Sequence, residues 1–320
     1  MPVSNSLSVK LKQITYSGDN LGRELSFTLK IKDQATEIHV KLPHGKSRSF
    51  DKVVFQKAQK EKSIILPITA EVREIRERYI DLGSGTSKIK IQLNDKIPRK
   101  HTLTVKVQGY GKEKTKTAVI AVVLESTVES AIRYVADIDP NGWLIVKFNN
   151  DKKHPIPHML KVELVKIKNG REYFKILEGQ YMGQVASVSL TDESPRFFTQ
   201  NDKHTGSAKM ILDQEAQKLT IVGLGNYNVK IDEHDPLSST KTYEVEIPDA
   251  PHGGGRVYSK DSRYSKTWFR IGHSGERYLH VGMSSLGCIA VTDKNEWTKI
   301  YNLLIRSRKD QFSVGEIKVL

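Results

Sequence analysis

Cys288 is the only cysteine of the chain, and it lies in the stretch YLHVGMSSLGCIAV, residues 278–291, eight residues after His280. A thiol acts as a nucleophile through its thiolate, so it needs a base or a positive charge within reach. His280 ends an apolar run and is followed by Gly282; Cys288 begins another and is preceded by Gly287. If the two runs are neighbouring strands, the loop VGMSSLG brings imidazole and thiol to one end of a sheet. Gly287 lets the backbone turn so that amide N–H groups at Gly287 and Cys288 face a developing oxyanion. The imidazole then needs an acceptor for its other N–H, for which a backbone carbonyl of the loop suffices. The competing reading is a buried thiol behaving as a small hydrophobe, which is how free cysteines usually behave. Spacing alone leaves both open.

The elements that must position this pair occupy residues 206–320. AKMILDQEAQKLTIV reads as a strand hairpin, and NYNVKI and KTYEVEI as further strands. The Gly-rich PHGGG (251–255) opens a loop, 251–266, that reads as a flexible turn or as a lid over a groove. TWFRIG (267–272) and RYLHV (277–281) are strands joined by the tight turn HSGE, and IAVT follows Cys288 as another. Asp293 is placed to cap a helix, NEWTKIYNLLIRS, with Trp297, Ile300, Tyr301, Leu304 and Ile305 on its apolar side. SVGEIKVL closes the chain as a strand.

Upstream, residues 1–127 alternate apolar and polar side chains through SLSVKLKQI (6–14), LSFTLKIK (25–32), EIHVKL (37–42), KVVF (52–55), SIILPITAEVREI (63–75), SKIKIQL (87–93), TLTVKVQ (102–108) and AVIAVVLE (118–125). Turn clusters such as SGDN, LPHGK and LGSGTS separate them. Eight short strands at this spacing predict an antiparallel β-sandwich. Residues 128–205 read as a small β-rich linker domain. ESAIRYVADIDPNG opens it as a short helix and a turn, WLIVKF, HMLKVELVKI, REYFKIL and QVASVSL are strands, and KNG (168–170) is a hairpin turn. His154 and His158, beside Pro155 and Pro157, are expected on an extended surface loop. The fold class is therefore mainly β, in three parts: 1–127, 128–205 and 206–320.

The net charge is +14, and it is uneven: residues 1–127 hold 24 Lys and Arg against 13 Asp and Glu, so almost all of the excess is N-terminal. That points the N-terminal part towards an anionic partner, either a surface or a secretion component, against the alternative of a solvated basic face. No nucleic-acid motif accompanies the charge, so nucleic acid is the least favoured partner. No run approaches the roughly 18 apolar residues of a membrane span. MPVSNSLSVK has no basic segment leading into an apolar run, so no secretory leader is expected. A single cysteine permits no internal disulfide. No metal and no cofactor are expected; Asp19 and Asp81 are too isolated to hold calcium, which takes six or more oxygens.

SSLGCIAV preceded by YLHVG resembles the active-site signature of the L,D-transpeptidase (YkuD-type) family, and RIGHSGERYLHVG and MILDQEAQKLTIV resemble the segments that lead into it. The resemblance covers about residues 207–320. It implies Cys288 as nucleophile, His280 as general base and Gly287 in the oxyanion loop. Ser285 takes the Ser/Thr position of the signature, and Ser284, His273 and His252 are secondary candidates. His273 ranks second as base. Where the family carries a second histidine this chain has Leu286, and where it commonly carries arginine this chain has Ala290. The N-terminal run ITAEVREIRERYIDLGSGTSKIKIQL, followed by HTLTVKVQGYG, more loosely resembles a C2-type sandwich.

What the transpeptidase resemblance implies is a cysteine-dependent L,D-transpeptidase or L,D-carboxypeptidase working on peptidoglycan stem peptides through a Cys288 thioester. With no leader expected, such a bacterial enzyme would reach the cell wall or periplasm by specialised secretion, as an interbacterial toxin does, or else stay in the cytoplasm. Two other classes stand beside it. One is a non-catalytic wall-binding or membrane-surface protein that keeps the fold. The other is a cysteine peptidase or acyltransferase with a different substrate.

Overall fold

The computed structural model describes residues 5–75, 80–137, 141–190 and 196–320. Strand makes up 56% of the chain and helix 7%, which bears out the mainly β expectation. The chain gathers into two compact units. One comprises 1–132, 164–173 and 189–195; the other comprises 133–163, 174–188 and 196–320. Residues 128–205, expected as a separate small domain, are shared between them.

The first unit is built on β1 (Asn5–Gly18), β2 (Glu24–Ile31), β3 (Gln34–Lys41), β4 (Ser47–Gln59), β5 (Ser63–Ile75), β6 (Ile80–Gln92), β7 (Arg99–Gln108) and β8 (Thr117–Ser130). All neighbouring pairs are antiparallel, in the order β4-β1-β8-β7-β6-β5-β2-β3. β6 and β7 pair over just Leu82–Ser84 and Lys106–Gln108. That corner divides the ladder into two four-stranded layers, β3-β2-β5-β6 and β4-β1-β8-β7. A Cβ on Gly83 would lie 2.3 Å from the Lys106 carbonyl oxygen, so the corner needs a residue without one. Sequence alternation supplies the core. Along β8 nearly every second side chain is buried, and Leu11, Phe27, Val72, Val105 and Ile120 from both layers meet in one cluster. Asp19 and Asp81 each accept a backbone N–H, from Thr117 and Tyr110, at 2.7 Å.

β9 (Ile132–Val135), β10 (Trp143–Phe148), β11 (Lys153–Pro157), β12 (Lys161–Lys168), β13 (Arg171–Ile176), β14 (Val185–Ser189) and the two-residue β15 (Phe198–Thr199) follow. The expected helix near residue 132 is strand β9, and the turn expected over 138–140 lies outside the described residues. Asn169 and Gly170 adopt positive φ, 52° and 65°, and form the two-residue turn between β12 and β13. β11, expected as a loop, pairs with β10 at the sheet edge, where Pro155 and Pro157 leave no ladder donor missing. His158 is not on the surface; it is 4% exposed, and burial pulls its pKa down.

The remaining elements carry the site: β16 (Ala208–Asp213), β17 (Lys218–Ile221), β18 (Gly225–Lys230), β19 (Thr242–Glu246), β20 (Phe269–Arg270), β21 (Tyr278–Val281), β22 (Ile289–Val291), α1 (Trp297–Arg306) and β23 (Ser313–Val319). The sheet order is β19-β23-β16-β17-β18-β22-β21-β20, with β16–β23 and β21–β22 parallel. Its two edges meet through the Val245–Ile271 bridge and a 2.7 Å bond from the Gly272 N–H to the Glu244 carbonyl, so the sheet closes on itself. α1 buries Trp297, Ile300, Tyr301, Leu304 and Ile305, the face its spacing predicts. Its start differs from expectation. Asp293 does not cap it; its carboxylate accepts the Asn228 backbone N–H at 2.8 Å and the Asn228 amide at 3.2 Å, tying β18 to the chain after β22.

Candidate active site

β21 and β22 run side by side with Leu279 opposite Ile289, His280 opposite Ala290 and Val281 opposite Val291. Opposed residues on parallel neighbours project to the same face, and alternate residues share a face. His280 and Ala290 therefore share one; Cys288 lies in the bend just before β22, which begins at Ile289. The apolar runs YLHV and IAV supply this pairing, and every side chain in both strands is buried.

His280 is 7% exposed. Its Nδ1 lies 2.8 Å from the Val281 carbonyl oxygen, so Nδ1 carries the proton and Nε2 keeps its lone pair. The orienting acceptor is thus a backbone carbonyl, belonging to Val281. The ring stacks on Trp268, 4.3 Å between centroids at 19°, and Trp268 stacks on His252 at 4.5 Å and 3°. A Cβ on Gly282 would sit 3.0 Å from His280 Cε1, so that glycine makes room for the ring. Burial holds the His280 pKa below the usual imidazole value, against the raising effect of the Val281 bond.

Cys288 is half-buried. Its Sγ–H donates to the Glu276 carbonyl over 3.7 Å; among the described residues no bond joins it to His280. Burial pushes the thiol pKa up, outweighing the Tyr278 N–H and the Arg277 guanidinium, which favour the thiolate. The resting pair is a neutral thiol and a neutral imidazole. Gly287 has φ +78°, a conformation open to glycine and costly for other residues. Its N–H donates to Asp232 Oδ2 at 3.1 Å. Ser285 Oγ–H donates to the Cys288 carbonyl at 2.5 Å and fixes the loop locally. Ser284 is exposed on the same loop.

His273, the second base candidate, sits elsewhere. Its Nδ1 bonds Glu246 at 2.7 Å and its Nε2 bonds Glu244. With both nitrogens facing carboxylates it is held as imidazolium, its pKa raised first by the Glu244 bond. That leaves no lone pair to accept a proton from sulfur. His252 is packed on Trp268 and Tyr278, with Nε2 3.5 Å from Asp249 Oδ1. The 251–266 loop is a packed element. Gly253–Tyr258 forms a 3-10 turn, a Cβ on Gly255 would meet the Ser265 carbonyl oxygen at 2.1 Å, and Tyr264 stacks on Tyr301 at 3.8 Å. No group of three His, Cys, Asp or Glu side chains that could hold a metal ion occurs among the described residues. No helix of the described residues is long and apolar enough to cross a membrane.

Sequence reasoning missed Trp268, Glu276, Arg277, Asp232 and Asp235. Asp232 and Asp235 sit in the acidic run IDEHD, Trp268 in TWFRIG, Glu276 in HSGE and Arg277 in RYLHV.

No known family's sequence profile matches the chain, and no curated protein sequence matches it. Among solved structures, it is similar to a C2 domain of a plant extended synaptotagmin 1, at 11% identity, over 41% of this chain and 97% of that one, with a TM-score of 0.23. It is also similar to human GIVD cytosolic phospholipase A2, solved with methyl gamma-linolenyl fluorophosphonate and terbium chloride. Identity there is 7% over 67% of this chain and 42% of that one, with a TM-score of 0.25. The chain thus spans less than half the length of that phospholipase. At such scores the likeness carries no argument, and the β-sandwich is assigned from its own strand order.

Proposed function

We propose that the chain is a cysteine-dependent acyltransferase or peptidase, with Cys288 as nucleophile and His280 as general base, acting on peptidoglycan stem peptides as an L,D-transpeptidase or L,D-carboxypeptidase. The observation that carries this reading is the pairing of β21 with β22. It supports the reading by bringing His280, whose Nδ1 is taken by the Val281 carbonyl, and the start of β22, which Cys288 immediately precedes, onto neighbouring strands.

In the proposed reaction the sulfur turns from the Glu276 carbonyl towards His280. Nε2 takes the thiol proton as sulfur attacks the peptide carbonyl carbon. The C–N bond then breaks, His280 returns the proton to the leaving amine, and a thioester remains on Cys288. An acceptor amine resolves it by transfer, or water resolves it by hydrolysis. The basic first unit is the proposed contact for an anionic surface or a secretion partner, and the cell wall or periplasm the proposed place of action.

A second reading, a wall-binding protein that has kept the fold without the activity, is favoured by the raised thiol pKa and by Asp232 on the Gly287 N–H. One experiment separates the two: intact-mass analysis of muropeptides incubated with a D-amino acid and wild type, Cys288→Ala or His280→Ala. Loss or exchange of the terminal D-alanine with wild type, absent with both variants, is the expected result. Muropeptide binding without turnover would favour the second reading.

A further inference from the structure

The segment IDEHDP (231–236), which follows β18, closes a contact that the proposed chemistry does not use. Asp232 Oδ2 accepts the Gly287 N–H at 3.1 Å. Asp235 Oδ1 accepts from Arg277 Nη2 at 2.5 Å, and Arg277 Nη1 donates to the Pro236 carbonyl at 3.3 Å. The open side of Gly287 faces the same groups: a Cβ there would lie 3.5 Å from Asp235 Oδ2 and 3.8 Å from Arg277 Cγ. The chain's own carboxylates therefore occupy both the amide donor before the sulfur and the guanidinium beside it.

The segment is anchored behind this contact. Leu237 is buried, and its N–H donates to Gln214 Oε1 at 3.1 Å. Its tip is held by charge near solvent, with the Asp235 side chain 64% exposed. An ion pair that exposed contributes little in water, so an incoming carboxylate competes for the same donors on nearly equal terms.

We propose that the Gly287 N–H and the Arg277 guanidinium form a subsite for a carboxylate of the acyl donor, a peptide with a free carboxylate next to the bond attacked, and that Asp232 and Asp235 fill this subsite at rest as a displaceable strap. The inference rests on Cys288 being the reacting group, but its test needs no turnover.

Iodoacetate and iodoacetamide alkylate a thiolate by one step: sulfur attacks the CH2 carbon, a C–S bond forms, iodide leaves, and the thiol proton goes to buffer. They differ by a carboxylate, so the ratio of their rates on Cys288 reads the subsite while the thiol's own pKa cancels. The ratio is measured by intact mass on the full chain. Asp232→Ala with Asp235→Ala should raise it about tenfold, as expected when one charge-assisted contact becomes available. Asp235→Asn alone should move it less, in the same direction. Glu233→Gln, which removes a neighbouring charge that touches neither Gly287 nor Arg277, should leave it unchanged. Adding Arg277→Gln to the double variant should return the ratio to the wild-type value. Equal ratios in all variants overturn the proposal, as does a rise in Glu233→Gln matching that of Asp235→Asn, which would mark a bulk charge effect. If the double variant does not fold, Asp235→Asn, changed at an exposed side chain, decides alone. Absence of muropeptide turnover leaves these ratios as they are, so failure of the enzyme reading and failure of the subsite are told apart.

Discussion

Glu244 offers the sharpest test of how the site's scaffold is held. Its carboxylate, on β19, accepts from Lys309 Nζ at 2.6 Å, from His273 and from Ser313 Oγ at 3.0 Å. The Lys309 bond first, then His273, brings its pKa from 4.5 down to about 2. A shift of roughly 2.5 units corresponds to about 3.4 kcal/mol at about 1.4 kcal/mol per unit. The side chain is 33% exposed, so solvent screening reduces this to about 1–2 kcal/mol. The pKa is depressed, so this stability is fully present above the unfolded carboxylate value and is lost as pH falls through the folded value near 2. His273 has the opposite sign. Its pKa is raised, so its share is complete below the ordinary imidazole value of 6.5 and is lost as pH rises through the elevated folded value. Both contributions are present together between about pH 5 and 6. Glu244→Gln should therefore lower the midpoint of thermal unfolding most in that window, by about 3–6 °C for a unit of this size, with the difference shrinking towards pH 2. Trp143, Trp268 and Trp297, the chain's three tryptophans, all lie in the second unit. Intrinsic fluorescence thus reports that unit, and a melt followed this way at pH 3 and pH 6 is the assay. Equal differences at the two pH values, or none at pH 6, would refute the network as the anchor of the turn that carries Glu276.

Gly287→Ala forces an L side chain into φ +78° with Asp235 Oδ2 3.5 Å away; a cost of about 1–2 kcal/mol is expected. Cys288 alkylation, read by intact mass, should change more than the melting midpoint. Phe27→Ala empties a site that is 2% exposed in the sandwich core. It should cost about 3–5 kcal/mol, visible by circular dichroism, while the tryptophan-reported melt of the second unit reads whether the two units unfold independently.

The parts of the fold written in local periodicity were legible. The buried face of α1 follows from a 3.6-residue spacing, and the strands of the sandwich follow from alternation, because each depends on residues within a turn or two of one another. What was not legible depends on partners far along the chain. Asp293 has a capping residue's identity and position, but Asn228, 65 residues away, takes its carboxylate. β11 reads as a loop because its two prolines argue against a central strand, and only sheet order reveals that it lies at an edge. The same limit applies at the site. His280 and His273 are both near Cys288 in sequence, and their difference comes from Glu244 and Glu246 on another strand, which occupy both nitrogens of His273. Asp232 and Asp235 reach Gly287 and Arg277 across 55 and 42 residues, a pairing that no spacing rule anticipates.

The geometry around the sulfur explains why the site rests uncharged. A thiolate and an imidazolium form a stable pair when each solvates the other's charge. Here Sγ faces the Glu276 carbonyl, which disfavours a negative sulfur, and His280 is buried, which leaves an imidazolium poorly solvated. Burial then raises the thiol pKa and lowers the imidazole pKa, so separated charges are disfavoured at both groups. On the proposed mechanism, proton transfer becomes favourable only in step with attack, when the negative charge moves from sulfur to a carbonyl oxygen that backbone amides can receive. The Gly287 N–H, which Asp232 occupies at rest, is on our proposal taken by the donor's carboxylate, so the oxyanion falls to other amides of the loop. Displacing the strap would therefore replace the resting Asp232 and Asp235 carboxylates by the donor's own. On that proposal Cys288 stays protonated until a substrate brings its own carboxylate, and its reactivity is tied to such a substrate.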